Sequence, residues 1–148
     1  MSSQSDASPS EAFADAWDAF VLAVRRAQAR GQKASEGLTL PQYYLLRPLD
    51  ESPALALCDL ADHAGIAAPT ATRIIDGLER DGALRRERSS QDRRTVLVSL
   101  TSRGRRLLGR KRRELTQRRQ RLYEQLDPAE REQSERLLRH LAELLGQL

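Results

Sequence analysis

Thr70, Thr72 and Arg73 fall close together in the chain, and Asp92, Arg93 and Arg94 form a second polar group further on. Threonine can touch thymine methyl groups or phosphates, and an arginine fork can hold guanine or phosphate through paired hydrogen bonds. Neither set can carry out a reaction. The chain holds no grouping of serine, histidine and acid and no glycine-rich phosphate loop, so neither catalysis nor a bound cofactor is expected. Asp59, Asp62 and His63 come nearest to a metal site. Three residues on one short helix, with His140 the only other histidine, make a poor ligand set, and they read as solvent-exposed helix residues. Cys58 is the single cysteine, which excludes an internal disulfide and fits a reducing cytoplasm. Its expected role is a buried small hydrophobe rather than a redox switch.

The formal net charge is +4, and its placement is uneven. Fifteen basic side chains lie between Arg85 and Arg121, against only Glu87, Asp92 and Glu114. Such a concentration suits a polyanion; the plainer reading is the solvated face of a long helix. With 148 residues, 39% hydrophobic and 31% charged, the chain suits one polar domain that hides apolar surface in a partner. No run approaches the roughly 18 apolar residues of a membrane span. The opening stretch MSSQSDASPSEAF lacks the basic and apolar regions of a secretory signal, and residues 1–10 are expected to be a disordered polar leader.

The elements that must position the polar groups follow from periodicity. Phe13, Trp17, Phe20 and Val24 line one face of a helix expected to stop at Gly31. Leu38, Leu45, Leu46 and Leu49 mark a second helix with Pro41 in its first turn. A short third helix carries Leu57, Leu60 and Ala61 inward and ends at Gly65. Pro69 then opens a helix whose core stripe is Ala71, Ile74, Ile75 and Leu78. Thr70, Thr72, Arg73, Asp76, Gly77 and Arg80 stand on the other side. Short helix, glycine turn and second helix form a helix-turn-helix, and hydroxyls with an arginine at the exposed start suit a major groove. After Gly82 the period changes. Leu84–Arg88 and Thr95–Leu100 read as two strands joined by a polar loop, a basic hairpin or wing. Thr101 or Ser102 caps a long helix carrying Leu108, Leu115 and Leu122, and Asp127-Pro128 starts another with Leu137, Leu141, Leu144 and Leu148. These apolar faces at both ends imply packing between two protomers, so removing 127–148 is expected to collapse the fold.

The stretch from Leu38 to Thr101 resembles the multiple-antibiotic-resistance-regulator (MarR) family. Leu38-Thr39-Leu40-Pro41-Gln42, Leu57-Cys58-Asp59-Leu60-Ala61 and Ala68 to Gly82 resemble its second helix, the first helix of its helix-turn-helix and its recognition helix. Most specific is the wing signature: Asp, any residue, Arg, then five residues, Leu and Thr, matched by Asp92, Arg94, Leu100 and Thr101. The sequence departs from the family where Ala67 and Ala68 replace the usual hydroxyl cap of the recognition helix.

The resemblance implies a mainly α fold with a small β-hairpin wing, a winged helix-turn-helix dimerising through its N- and C-terminal helices. Residues 11–37 and 101–148 would form the dimerisation region and 38–100 the DNA-binding lobe. The implied function is a sequence-specific, cytoplasmic transcriptional repressor on double-stranded DNA with a pseudo-palindromic operator. Pro69, Thr70, Thr72, Arg73 and Gly77 would face a major groove, and Arg93 and Arg94 a minor groove, with Asp92 orienting the Arg94 guanidinium. A narrow minor groove concentrates negative potential, which gives an arginine there a physical reason. Aromatic acids or phenols are the implied effectors. Trp17, Tyr43 and Tyr44 are the candidate stacking surfaces and Arg25 or Arg26 the candidate carboxylate partner, against the plainer reading of core and surface residues. Two alternatives stay open: a helical dimeric interaction scaffold, and a nucleoid-type protein binding DNA without sequence preference.

Overall fold

The computed structural model describes residues 8–34, 37–92 and 94–147. Most of the expected leader, residues 1–7, and Arg93 lie outside them. Helix α1 spans Pro9–Ala34, beginning inside the stretch expected to be a leader. Its start is capped reciprocally: the Ser8 backbone N–H donates to the Glu11 carboxylate at 2.7 Å, and the Glu11 N–H donates to the Ser8 hydroxyl at 3.3 Å. These bonds hold the Glu11 carboxyl below its ordinary pKa, the backbone bond contributing most. The helix also continues past Gly31, where a stop was expected. A glycine inside a helix costs only about 1 kcal/mol relative to alanine, too little to end one that is otherwise continuous.

Helix α2 (Leu40–Leu46) is opened by Thr39, whose side chain accepts from the Gln42 N–H while Gln42 returns the bond to the Thr39 backbone. A 3-10 turn at Arg47–Asp50 follows, then strand β1 (Leu55–Ala56) and helix α3 (Leu57–Ala64). Gly65 ends α3 at φ 63°, a left-handed geometry that favours glycine. Helix α4 (Ala68–Arg80) leads through Gly82, at φ 72°, into the hairpin of β2 (Leu84–Arg88) and β3 (Val96–Leu100). Helices α5 (Ser102–Gln125) and α6 (Pro128–Leu145) complete the order, capped by Thr101 and Asp127.

The sheet has three antiparallel strands in the order β1-β3-β2 rather than two. Leu55 pairs with Val98 and Ala56 with Leu97. A two-residue strand carries no alternation from which to recognise it. The core lies where α2, α3, α4, the sheet and the first half of α5 meet. Leu45, Leu46, Leu60, Ile75, Val98 and Leu108 are fully buried there. Cys58 is exposed, contrary to expectation. It follows Leu57 by one residue, about 100° around α3, which turns it away from the inner side of Leu60 and Ala61. Asp59, Asp62 and His63 are exposed on the same helix.

The terminal helices contrast with this lobe. No described residue of α6 is buried, and Leu137, Leu138 and Leu145 remain more than half exposed. On α1, Phe13 and Phe20 are each 56% exposed. The apolar stripes of both ends therefore lie uncovered in a single chain. Among the described residues, no helix is long and apolar enough to cross a membrane.

Candidate nucleic-acid interface

The core stripe of α4 dictates what its other side presents. Ala71, Ile75 and Leu78 are buried and Ile74 half-buried, so Pro69, Thr70, Thr72 and Arg73 are turned outward and exposed. Ala67 caps α4 without any side-chain hydrogen bond, as its missing hydroxyl requires. Thr72 Oγ1 donates to the Ala68 carbonyl at 2.9 Å, which commits its proton and leaves its methyl group and lone pairs outward. The Arg73 guanidinium makes no ion pair among the described residues. Gly77 is half-buried, and an added Cβ would meet nothing closer than Arg80 Nη2 at 4.0 Å. Packing inside the protein does not call for glycine there.

At the wing tip the expected role of Asp92 is corrected. Its carboxylate accepts the Arg94 backbone N–H at 2.9 Å and the Thr95 hydroxyl at 3.1 Å, and it makes no ion pair with the Arg94 guanidinium. Ser89 supports the same turn, its Oγ accepting from the Gln91 and Asp92 N–H groups. A carboxylate two residues before the arginine reaches the backbone of the turn more readily than the end of a long side chain. Arg94 is thus exposed on a braced loop, its guanidinium without an ion pair among the described residues.

The other end of the wing signature is structural. Leu100 is in the core, and Thr101 Oγ1 donates to the Gly82 carbonyl at 2.7 Å with the Ala83 carbonyl at 3.1 Å. The Thr101 backbone N–H donates to Ala83 O at 3.0 Å, and its hydroxyl oxygen accepts the Gly104 N–H at 3.1 Å. One residue therefore joins the end of α4, the base of the wing and the start of α5.

Sequence reasoning missed two contributors. Gly104 packs against this junction so closely that a Cβ would lie 2.1 Å from the Ala83 carbonyl oxygen. Arg86 on β2 hydrogen-bonds Asp76 of α4. Ten positions separate that pair and no local periodicity relates them, so only the folded hairpin brings them together.

The expected effector residues do not converge. Tyr43 is buried in the core, its ring edge-on to Tyr44 at 5.4 Å between centroids. Trp17 packs near Phe13 and lines a separate cleft of about 420 Å³ with Leu141 and Leu144. Arg25 is exposed and lines neither cleft. Tyr44 alone faces a cleft of about 610 Å³ between α1, α2 and α5, beside Leu40, Lys111, Leu115, Arg119 and Leu122. Arg119 Nη2 donates to the Tyr44 hydroxyl at 3.2 Å. Lys111 is 6% exposed, and its Nζ bonds both Glu114 oxygens, at 3.0 and 3.2 Å. The basic wall of this cleft comes from α5, whose basic side chains read in sequence as a polyanion footprint or a solvated face.

A helix-turn-helix of α3 and α4 followed by a basic hairpin defines a winged helix-turn-helix protein. The MarR family model matches residues 38–96, from the first buried residue of the lobe to the start of β3. It is 37% identical over 90 residues to an HTH-type transcriptional repressor of Mycobacterium tuberculosis, a match covering 61% of this chain and 65% of that one. It is 40% identical over 73 residues to the homoprotocatechuate degradative operon repressor of Escherichia coli, covering 49% of each. The chain thus spans about two thirds and about half the lengths of these curated relatives. Among solved structures, Bordetella bronchiseptica BpsR, whose DNA binding is regulated by 6-hydroxynicotinic acid, superposes with a TM-score of 0.71. Its identity is 29%, over 86% of this chain and 98% of that one.

Proposed function

We propose that the chain is a sequence-specific DNA-binding repressor. It acts in the cytoplasm as a homodimer and is released from its operator by a small aromatic acid or phenol. The observation that carries this reading is the pairing of two guanidinia, on separate elements, that are unengaged among the described residues. Arg73 projects from the exposed side of α4 and Arg94 from a wing tip braced by Asp92 and Ser89. Structural ion pairs take up Arg86, Arg112 and Arg118, whereas these two make none among the described residues. The names of the relatives support the regulatory class, and the apolar stripes of α1 and α6 supply surface for a second copy.

The test is selection of a duplex from a random library, followed by comparison with bulk DNA. The selected duplex should bind at least about a thousandfold tighter. Arg73→Ala should cost about 1–3 kcal/mol and relax preference at one operator position. Arg94→Ala should weaken all sequences and flatten the salt dependence. Both variants should keep the wild-type melting temperature, since neither side chain has a partner to lose among the described residues. Wild-type affinity in Arg94→Ala at about 0.15 M salt would contradict the role given to the wing.

The effector arm rests on the Tyr44 cleft, which joins apolar walls to Lys111 and Arg119. A hydroxylated aromatic acid should lower DNA affinity, and Tyr44→Ala should blunt that response by roughly tenfold while leaving DNA affinity unchanged. Isothermal titration of each protein with the acid, alongside the DNA assay, reads both effects. An undiminished response in Tyr44→Ala would move the effector site elsewhere.

A further inference from the structure

We infer that Arg86 is a positioning residue for DNA binding: it holds the Asp76 carboxylate against the wing and cancels a charge that would otherwise repel phosphates beside Arg73. This rests on the DNA-binding reading above. Arg86 lies on β2 opposite Val98, with its side chain only a quarter exposed. Its Nη2 donates to Asp76 Oδ1. Its Nε is buried without a hydrogen-bond partner and lies 3.6 Å from Glu79 Oε2, within ion-pair range but too far for a good hydrogen bond.

The placement of Asp76 gives this pair its consequence. Asp76 follows Arg73 by three positions and precedes Arg80 by four, the spacings that make helix side chains neighbours. Asp76 and Glu79 are the only acids of α4, and Arg73 and Arg80 its only bases. Arg80 donates to the Asp76 backbone carbonyl, not to the carboxylate, so the counter-charge comes from the wing. Without Arg86 the helix would present as many negative charges as positive ones. The Asp76 side chain is 48% exposed, and a pair in that setting adds little to stability. At a surface that closes on a polyanion, an uncompensated carboxylate is far more costly. The magnitudes favour a role in binding over a role in folding.

The experiment uses the full chain as Arg86→Met, Asp76→Asn and the double variant, with the duplex selected by the wild type as probe. Methionine keeps much of the apolar stem of arginine and removes the charge. Arg86→Met should bind about tenfold or more weakly while its thermal transition changes little. Asp76→Asn should bind as tightly as wild type or more so. The double variant should recover to within about threefold of wild type, since the repelling charge is gone although the tether is not restored. A purely structural clamp would be harmed equally from either side and would not be rescued. Unchanged affinity in Arg86→Met, a double variant as weak as Arg86→Met, or Asp76→Asn as damaging as Arg86→Met would each overturn the inference. Should the wild type select no duplex, the DNA-binding reading falls and this one with it. A wild type that binds beside an unaffected Arg86→Met removes only the role of Arg86.

Discussion

Gly104→Ala is expected to destabilise the protein by about 3 kcal/mol or more, because overpacking against backbone cannot be relieved by a rotamer change. The added methyl would stand 2.1 Å from the Ala83 carbonyl oxygen and 3.1 Å from a Leu100 methyl carbon. That oxygen also accepts the Thr101 N–H, so retreat would loosen the joint between α4, the wing and α5. For a chain of this size the melting temperature should fall by roughly 10 °C. The control is Gly109→Ala on the same helix. There the new Cβ meets nothing closer than Arg113 Nη1 at 3.6 Å, the end of a flexible side chain. That substitution should be neutral or raise stability by about 0.5–1 kcal/mol, since alanine is the better helix former. Thermal denaturation of the pair decides it, and a Gly104→Ala transition within about 2 °C of wild type would contradict the packing described.

The second large effect is expected from removing residues 127–148. Sequence reasoning expected the whole fold to collapse, but the placement of the core argues for a narrower loss. The fully buried residues lie between Leu38 and Leu108, and α6 buries none of its described side chains in its own chain. The lobe should therefore keep its helical signal and a cooperative transition, while the chain becomes monomeric. Losing simultaneous engagement of two half-sites should weaken operator binding by about a hundredfold or more. Sedimentation equilibrium and circular dichroism on the truncated chain test this together. A truncated chain that remains dimeric would place the interface elsewhere.

The legible parts of the fold were those governed by local rules. The stripe of Ala71, Ile74, Ile75 and Leu78 identified α4 because four residues at helical spacing share one face. Thr101 and Asp127 both cap helices, since a hydroxyl or carboxylate before an apolar run satisfies otherwise free N–H groups. Gly65 and Gly82 ended helices with the positive φ that favours glycine. The misses share a different origin. The start of α1 was signalled by Ser8-Pro9 with Glu11 three residues after the serine, but the polar leader around it masked the pattern. Strand β1 exists only because β3 offers it an edge. The partner of Asp92, the pairing of Arg86 with Asp76 and the wall of the Tyr44 cleft all depend on how elements meet. Residue type showed which side chains could bind an anion; tertiary placement decided which of them were already engaged.

The most direct test of the account is the footprint and stoichiometry of the wild-type chain on its selected duplex. Two copies of one chain, each placing α4 in a major groove, require an inverted repeat whose half-sites lie about one helical turn, roughly 10 bp, apart. Hydroxyl-radical footprinting should show two symmetric protected patches on one face of the duplex, and native mass spectrometry should show two chains per duplex. A single chain protecting one asymmetric half-site, or protection with no preference over bulk DNA, would contradict it.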